Sequence, residues 1–198
     1  MSPGTAGAEV RPDITADSDR LRMSCQHTLT GWSAPTAEQG VLAAHYLQHL
    51  DDHPDGWSRQ CRGAHLTASS LVCAPTERKV LLTLHARIGR WLQTGGHLEL
   101  EDDSVAAAAL REAAEESGLS GLTLDPVPLL LSRHPVLCSG EESIHLDVQY
   151  LVTVTAPAPP VLSAESLDVR WFDAAELPGD DLSVTDLVRA AGTRLGWT

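Results

Sequence analysis

Alternating strand-like and helix-like segments put this chain in the α+β class, with a helical extension ahead of the main domain. Two observations predict it. Aliphatic and β-branched runs bounded by turn residues recur from His65 onward, and two stretches, near residues 35–52 and 104–117, carry apolar residues at helical spacing. The 198 residues are 42% hydrophobic, enough for one domain of about 150 residues plus an extension, with a core that needs no disulfide or metal staple.

Residues 1–22 are rich in Ser, Thr, Asp, Gly and Pro without periodicity and read as a disordered tail. Residues 23–61 read as a helical N-terminal extension. Pro35-Thr36-Ala37-Glu38 looks like a helix start, and Val41, Leu42, Tyr46, Leu47 and Leu50 follow near helical spacing up to Asp51-Asp52-His53-Pro54. This helix would cover either one edge of the main domain or the seam of a homodimer.

The main domain, residues 62–198, opens with a strand (65–73), a turn (74–78) and a second strand (79–85). A loop holding Arg87, Arg90 and Trp91 leads to Gly95-Gly96 and an acidic stretch. A helix then runs from about Ser104 to Ser117, with Gly118 placed for a left-handed cap. Strands at 126–132 and 144–155, the break Ala156-Pro157-Ala158-Pro159-Pro160, a short strand at Val169–Phe172 and a last helix near 184–191 complete the chain.

Composition excludes several classes. The net charge of −13 disfavours a protein that coats nucleic acid, which needs a basic face. No apolar run approaches the ~20 residues of a membrane span, and the N-terminus lacks a secretory signal. Cys25, Cys61, Cys73 and Cys138 lie far apart with no CxxC pair, which points to reduced thiols and a cytoplasmic location. Cys138 in particular reads as an ordinary thiol, with no His near it on the same element.

Charge is concentrated between residues 95 and 119, where seven acids (Glu99, Glu101, Asp102, Asp103, Glu112, Glu115, Glu116) face the single Arg111. On the helix, Val105, Ala106, Ala109, Leu110 and Ala113 form the expected buried stripe, and Arg111, Glu112, Glu115 and Glu116 lie opposite. Three carboxylates at spacings of three and four residues repel one another. A hard divalent cation reverses that sign, and Mg²⁺ takes carboxylates together with substrate phosphate oxygens. An acidic solvent-facing helix side is the ordinary alternative.

The string Gly96-His97-Leu98-Glu99-Leu100-Glu101-Asp102 through Arg111-Glu112-Ala113-Ala114-Glu115-Glu116-Ser117-Gly118-Leu119 resembles the signature of the Nudix hydrolases, Gly-x5-Glu-x7-Arg-Glu-U-x-Glu-Glu-x-Gly-U with U aliphatic. The second half fits throughout. The first half departs from it: Asp102 stands at the usual Glu, eight residues rather than seven separate it from Arg111, and Glu101 replaces a common Gly.

The resemblance implies a Nudix α/β/α sandwich with a mixed β-sheet. It implies Glu115 and Glu116 as ligands for Mg²⁺ or Mn²⁺, with Glu112 as a further ligand or support for metal-bound waters. Arg111 would orient the glutamates, and the carbonyl of Gly95 or Gly96 would complete the shell. Glu165, six residues before Trp171, matches the extra acid of the mutator-type triphosphate pyrophosphatases and would be a ligand or the base that activates water. A plain surface Glu is the alternative, and Asp168 and Glu142 are rival acids.

Weaker signals surround this core. His145, Asp147 and Gln149 share one strand face that would read the substrate or be a satisfied polar face. His97 and Arg90 are further candidates for phosphate contact, each with a surface role as the alternative. The implied function is divalent-metal-dependent hydrolysis of a diphosphate linkage in a nucleoside diphosphate-X type small molecule. A non-catalytic nucleotide-binding module is the alternative. Isoprenoid diphosphate isomerisation on the same fold would need an active-site Cys and a His/Glu metal cage, neither of which the sequence places.

Overall fold

The residue alternation of one long strand organises the molecule. In the computed structural model, which describes residues 14–138, 140–163 and 166–197, β1 (Ala64–Ala74) runs through the middle of a seven-stranded sheet. It pairs in parallel with β6 (Glu141–Thr153) from Ala64↔Ile144 to Cys73↔Thr153. Its other edge is shared. β4 (Thr94–His97) takes Thr67 to Ser70, and β2 (Lys79–His85) takes Val72 to Ala74, both antiparallel. β5 (Thr123–Cys138) pairs antiparallel with β6, while β3 (Trp91–Leu92) and β7 (Ser166–Asp173) flank β2.

Helices cover both faces of this mixed sheet. α1 (Ile14–Gly31), α2 (Ala37–Asp52) and α3 (Val105–Ser117) pack on the side of Leu66, Ala68, Leu146 and Val148. α4 (Leu182–Leu195) packs against Leu71, Cys73, Val80 and Leu82 on the other side. The second face is apolar only where α4 covers it. Its other end carries His65, Thr67, Ser69, His145, Asp147 and Gln149, by strand alternation.

The structure corrects the expected tail. Residues 14–22 belong to α1, and residues 1–13 lie outside the described part. The intervening Ser, Thr and Asp hide a sparse stripe, Leu21, Cys25 and Leu29, which is buried against Tyr46 and Leu50 of α2. Tertiary packing of that stripe, not helix propensity, holds the helix. α2 begins after Thr36, whose hydroxyl caps Gln39 N, and it covers this chain's own sheet. Tyr46 donates to Ser132 O at 2.8 Å.

Two further differences concern strands. The expected loop between Trp91 and His97 contains β3 and β4, short pieces without a readable period. β5 is longer than the run 126–132, and its ladder with β6 is irregular between Asp125 and Leu130, where Pro126 and Pro128 have no N–H to donate.

Candidate active site

The acidic helix face is set by its caps and its packing. Ser104 Oγ accepts from Ala107 N at the start of α3, and Gly118, in the left-handed conformation at φ 64°, closes it. Val105, Ala108, Ala109, Ala113 and Ser117 are buried, while Ala106 and Leu110 of the predicted stripe are half-buried. That orientation turns Arg111, Glu112, Glu115 and Glu116 away from the core.

Arg111 is the hub. Its Nε and Nη2 donate to the two oxygens of Asp102, each at 3.0 Å, as a bidentate fork. Nη1 donates to Glu112 Oε1 at 3.0 Å and Glu115 Oε2 at 3.2 Å, and Nη2 also reaches His97 O at 2.9 Å. Asp102 is 6% exposed and also accepts from Glu99 N at 2.8 Å. A carboxylate so buried needs a charged partner, and the fork supplies it. The hydrogen bond with Asp102 is in turn the main reason the guanidinium pKa is raised further.

Glu116 is held differently. Its Oε1 accepts from Gly95 N at 2.9 Å, and its Oε2 lies 3.5 Å from Thr83 Oγ1. Both glycines sit in close contact, and only Gly95 is pressed against backbone. A Cβ at Gly95 would stand 2.3 Å from Ser69 Cβ, and one at Gly96 would stand 2.5 Å from Glu112 Oε1. The backbone thus presses directly on the carboxylate face. Hard oxygen donors on one helix side, beside a glycine whose missing side chain leaves room for close approach, fit a hard divalent cation.

On the other face of the sheet a second polar group assembles from four strands. His65, His97, Cys138 and His145 bring ligand-type atoms within 4.8 Å of one another, the group of this kind found among the described residues. The carboxylates of α3, engaged by Arg111, Gly95 and Thr83, do not converge in this way. Burial pushes the His97 pKa down to about 4 and the His145 pKa down to about 3, and it lowers His65, so the rings are neutral at pH 7. Asp147, 3% exposed, accepts from Thr67 Oγ1 at 3.0 Å, Ser69 Oγ at 2.6 Å and Gln149 Nε2 at 3.2 Å. Burial raises its pKa against those hydrogen bonds.

The family model for the NUDIX domain matches residues 63–189, more than half of the chain. The chain belongs to the Nudix hydrolase family. Solved structures share the Nudix fold. The NUDIX domain of Shewanella oneidensis NrtR, complexed with ADP ribose, aligns with TM-score 0.52 and 21% identity over 77% of this chain and 97% of that one. An E. coli dihydroneopterin triphosphate pyrophosphohydrolase gives 0.51 and 17% over 63% and 92%. A C. elegans Ap4A hydrolase gives 0.50 and 19% over 67% and 98%. No curated protein sequence matches this chain.

Of the Nudix string, Arg111 engages Glu112 and Glu115, Gly96 lies against Glu112, and Glu116 is held separately by Gly95 N. Asp102, displaced by one residue in the sequence, still delivers its carboxylate to Arg111. Of the substrate candidates, His97 and His145 lie in the cluster on the opposite face, and the carboxylate of Asp147 is engaged by its own sheet. Arg90 stands apart, paired with Asp181 at 2.5 Å beside a cavity of about 410 Å³ lined by Trp91, Pro178 and Asp180. Glu165 lies outside the described residues. Its rival Asp168 pairs with Arg170 at 2.5 Å, and Glu142 is exposed.

Two residues escaped sequence reading. His65 lies in a strand that carries no motif, and Cys138 reads as a loop residue, whereas the structure puts it at the end of β5, the strand that also carries His134. The structure places Cys138 Sγ 3.6 Å from His97 Nε2. The one available signal is that His65 and His145 each stand near the apolar runs whose strands pair in parallel with these two residues opposite each other.

Proposed function

We propose that this Nudix protein hydrolyses a diphosphate linkage in a nucleoside diphosphate-X type small molecule, by water attack at phosphorus, with Mg²⁺ or Mn²⁺. The observation that carries the reading is the Arg111 hub: one guanidinium locked by buried Asp102 and shared between Glu112 and Glu115. A merely solvated acidic helix face does not need a buried carboxylate to fix its arginine.

Glu112, Glu115 and Glu116, with the Gly96 carbonyl, would hold the cation. When bound, it neutralises charge that builds on the phosphoryl oxygens and acidifies the attacking water. The chain's own residues set the geometry. Asp102 fixes the fork, the fork spaces Glu112 from Glu115, and the Gly95 N–H fixes Glu116. Glu165 is the candidate base. Cations also explain how a protein of net charge −13 holds an anionic substrate. The substrate class is supported by fold relatives named for Ap4A, ADP ribose and dihydroneopterin triphosphate, all phosphoanhydride or diphosphate compounds. Four free cysteines support a cytoplasmic site of action, and none of the described helices is long and apolar enough to cross a membrane.

The test is phosphate and pyrophosphate release from nucleoside triphosphates, nucleotide sugars, dinucleotides, CDP-alcohols and prenyl diphosphates, with Mg²⁺ or Mn²⁺ and with EDTA. Metal-dependent turnover of a nucleotide diphosphate is expected. Silence across the panel with ligand-induced thermal stabilisation would replace the hydrolase by a binding module.

A further inference from the structure

We propose that His65, His97, His145 and Cys138 form a tetrahedral zinc site, separate from the carboxylate face, that staples four strands of the sheet together. The argument rests on spacing, donor chemistry and satisfaction of polar atoms.

Zn–N bonds of about 2.0–2.1 Å and a Zn–S bond of about 2.3 Å at tetrahedral angles put two ligand nitrogens about 3.3 Å apart, and a nitrogen and the sulfur about 3.6 Å apart. His65 Nε2 and His97 Nε2 are 3.2 Å apart, and His97 Nε2 and Cys138 Sγ are 3.6 Å apart. The same geometry places the centres of three ligating imidazoles roughly 5.1 Å from one another. The ring centres of His65, His97 and His145 form a triangle with sides of 5.1, 5.0 and 5.1 Å.

A hydrogen bond between two neutral imidazoles explains one of these contacts. It leaves the thiol converging on a nitrogen already in use, and the third ring unexplained. His145 Nε2 is buried without a hydrogen-bond partner among the described residues. Metal ligation removes the cost of such orphaned atoms. Three imidazoles and one thiolate select zinc or a similar borderline ion, whereas Mg²⁺ takes oxygen donors. The surroundings also fit. His65 hydrogen-bonds the backbone of Cys61, and its Nδ1 lies 3.5 Å from Ser143 Oγ, contacts of the kind that orient a ligating ring.

Four protein ligands close the coordination shell, which is the arrangement of a structural site. The ligands come from β1, β4, β5 and β6. His97 joins this site to the catalytic face, because its carbonyl accepts from Arg111 while Gly95, two residues earlier on the same strand, holds Glu116. The ion therefore fixes the segment on which both contacts depend.

The test strips the protein with a chelator and titrates Co²⁺ alone in the presence of excess Mg²⁺, which occupies oxygen sites. One equivalent of Co²⁺ is expected to bind with the visible spectrum of tetrahedral cobalt and a thiolate-to-cobalt charge-transfer band, and Zn²⁺ should displace it. Cys138→Ser, close to isosteric and at a half-buried position, should lose the charge-transfer band. His65→Asn and Cys138→Ser should each weaken Zn²⁺ binding at least about tenfold. At the same Zn²⁺ concentration the Tm of the parent protein should rise more than that of Cys138→Ser. Glu115→Gln should keep the full cobalt spectrum. Absence of stoichiometric uptake, a charge-transfer band that survives Cys138→Ser, or a spectrum lost in Glu115→Gln would each overturn the proposal.

Discussion

The four residues of β4 serve two unlike environments. On one side their backbone meets carboxylates: Gly95 N–H holds Glu116, His97 C=O holds Arg111, and Gly96 lies against Glu112. On the other, the His97 side chain enters a cluster of imidazoles and a thiol. The carboxylate face comes from one helix and one loop, contiguous in sequence, and its charges are managed by Arg111. The nitrogen–sulfur cluster comes from four strands, and burial keeps its three imidazoles neutral at pH 7. The difference teaches that a shared backbone segment can couple two sites that share no side-chain role.

The largest effect that separates the two sides is catalytic. Glu116→Gln should lower kcat by about 10³-fold or more, about 4 kcal/mol of transition-state stabilisation, with little change in Tm. A variant with parental turnover would remove α3 from the chemistry. Next comes the hub. Arg111→Ala leaves Asp102 as a buried, unpaired charge and should cost about 3–5 kcal/mol in urea unfolding. Arg111→Lys keeps the charge but not the fork, so it should lose less stability and still lose activity.

The glycines sharpen the comparison further. Gly95→Ala drives a Cβ into the β1 backbone and side chain at Ser69, and should cost about 1–3 kcal/mol, read as a lowered Tm. Gly96→Ala meets only the end of Glu112, so its loss should fall mainly on kcat. Equal effects on both measurements would mean that β4 acts as one rigid unit.

The smallest effect is in pH. Burial holds the His97 and His145 pKa values near 4 and 3, below the ordinary 6.5. Groups lowered by folding add stability above the unfolded pKa and lose it as pH falls. The metal-stripped protein should therefore lose Tm steadily from pH 6.5 toward pH 4. The slope should be no more than about 1 kcal/mol per pH unit for each ring after allowance for partial exposure. His145→Asn should flatten that slope, and an unchanged slope would assign the acid sensitivity elsewhere.

How much of this was legible follows from how each part is assembled. The helix 105–117, its caps and its acidic face are local, so spacing alone exposes them. Asp102 was visible as an offset within the string, and its partner was not, because an eight-residue spacer does not say where a carboxylate points. β4 has no period to read in Thr94-Gly95-Gly96-His97. The first half of α1, residues 14–22, reads as tail because only every fourth residue of the helix is buried. His65, His97, Cys138 and His145 are scattered along the chain, and the parallel register of β1 with β6, the antiparallel pairing of β4 with β1 and the reach of the β5–β6 hairpin bring them together.

Arg20 gives the N-terminal helix a different standing. Its guanidinium donates to Asp102 O at 2.6 Å and Leu100 O at 3.0 Å, and Ser24 Oγ accepts from Val105 N at 3.4 Å. The helix thus grips the loop that carries the arginine's counter-charge, from outside the span 63–189 that defines the family domain. Trimming the gene to that span would remove a clamp along with an appendage. The smallest piece that folds correctly should therefore be longer than the piece that bears the family's signature.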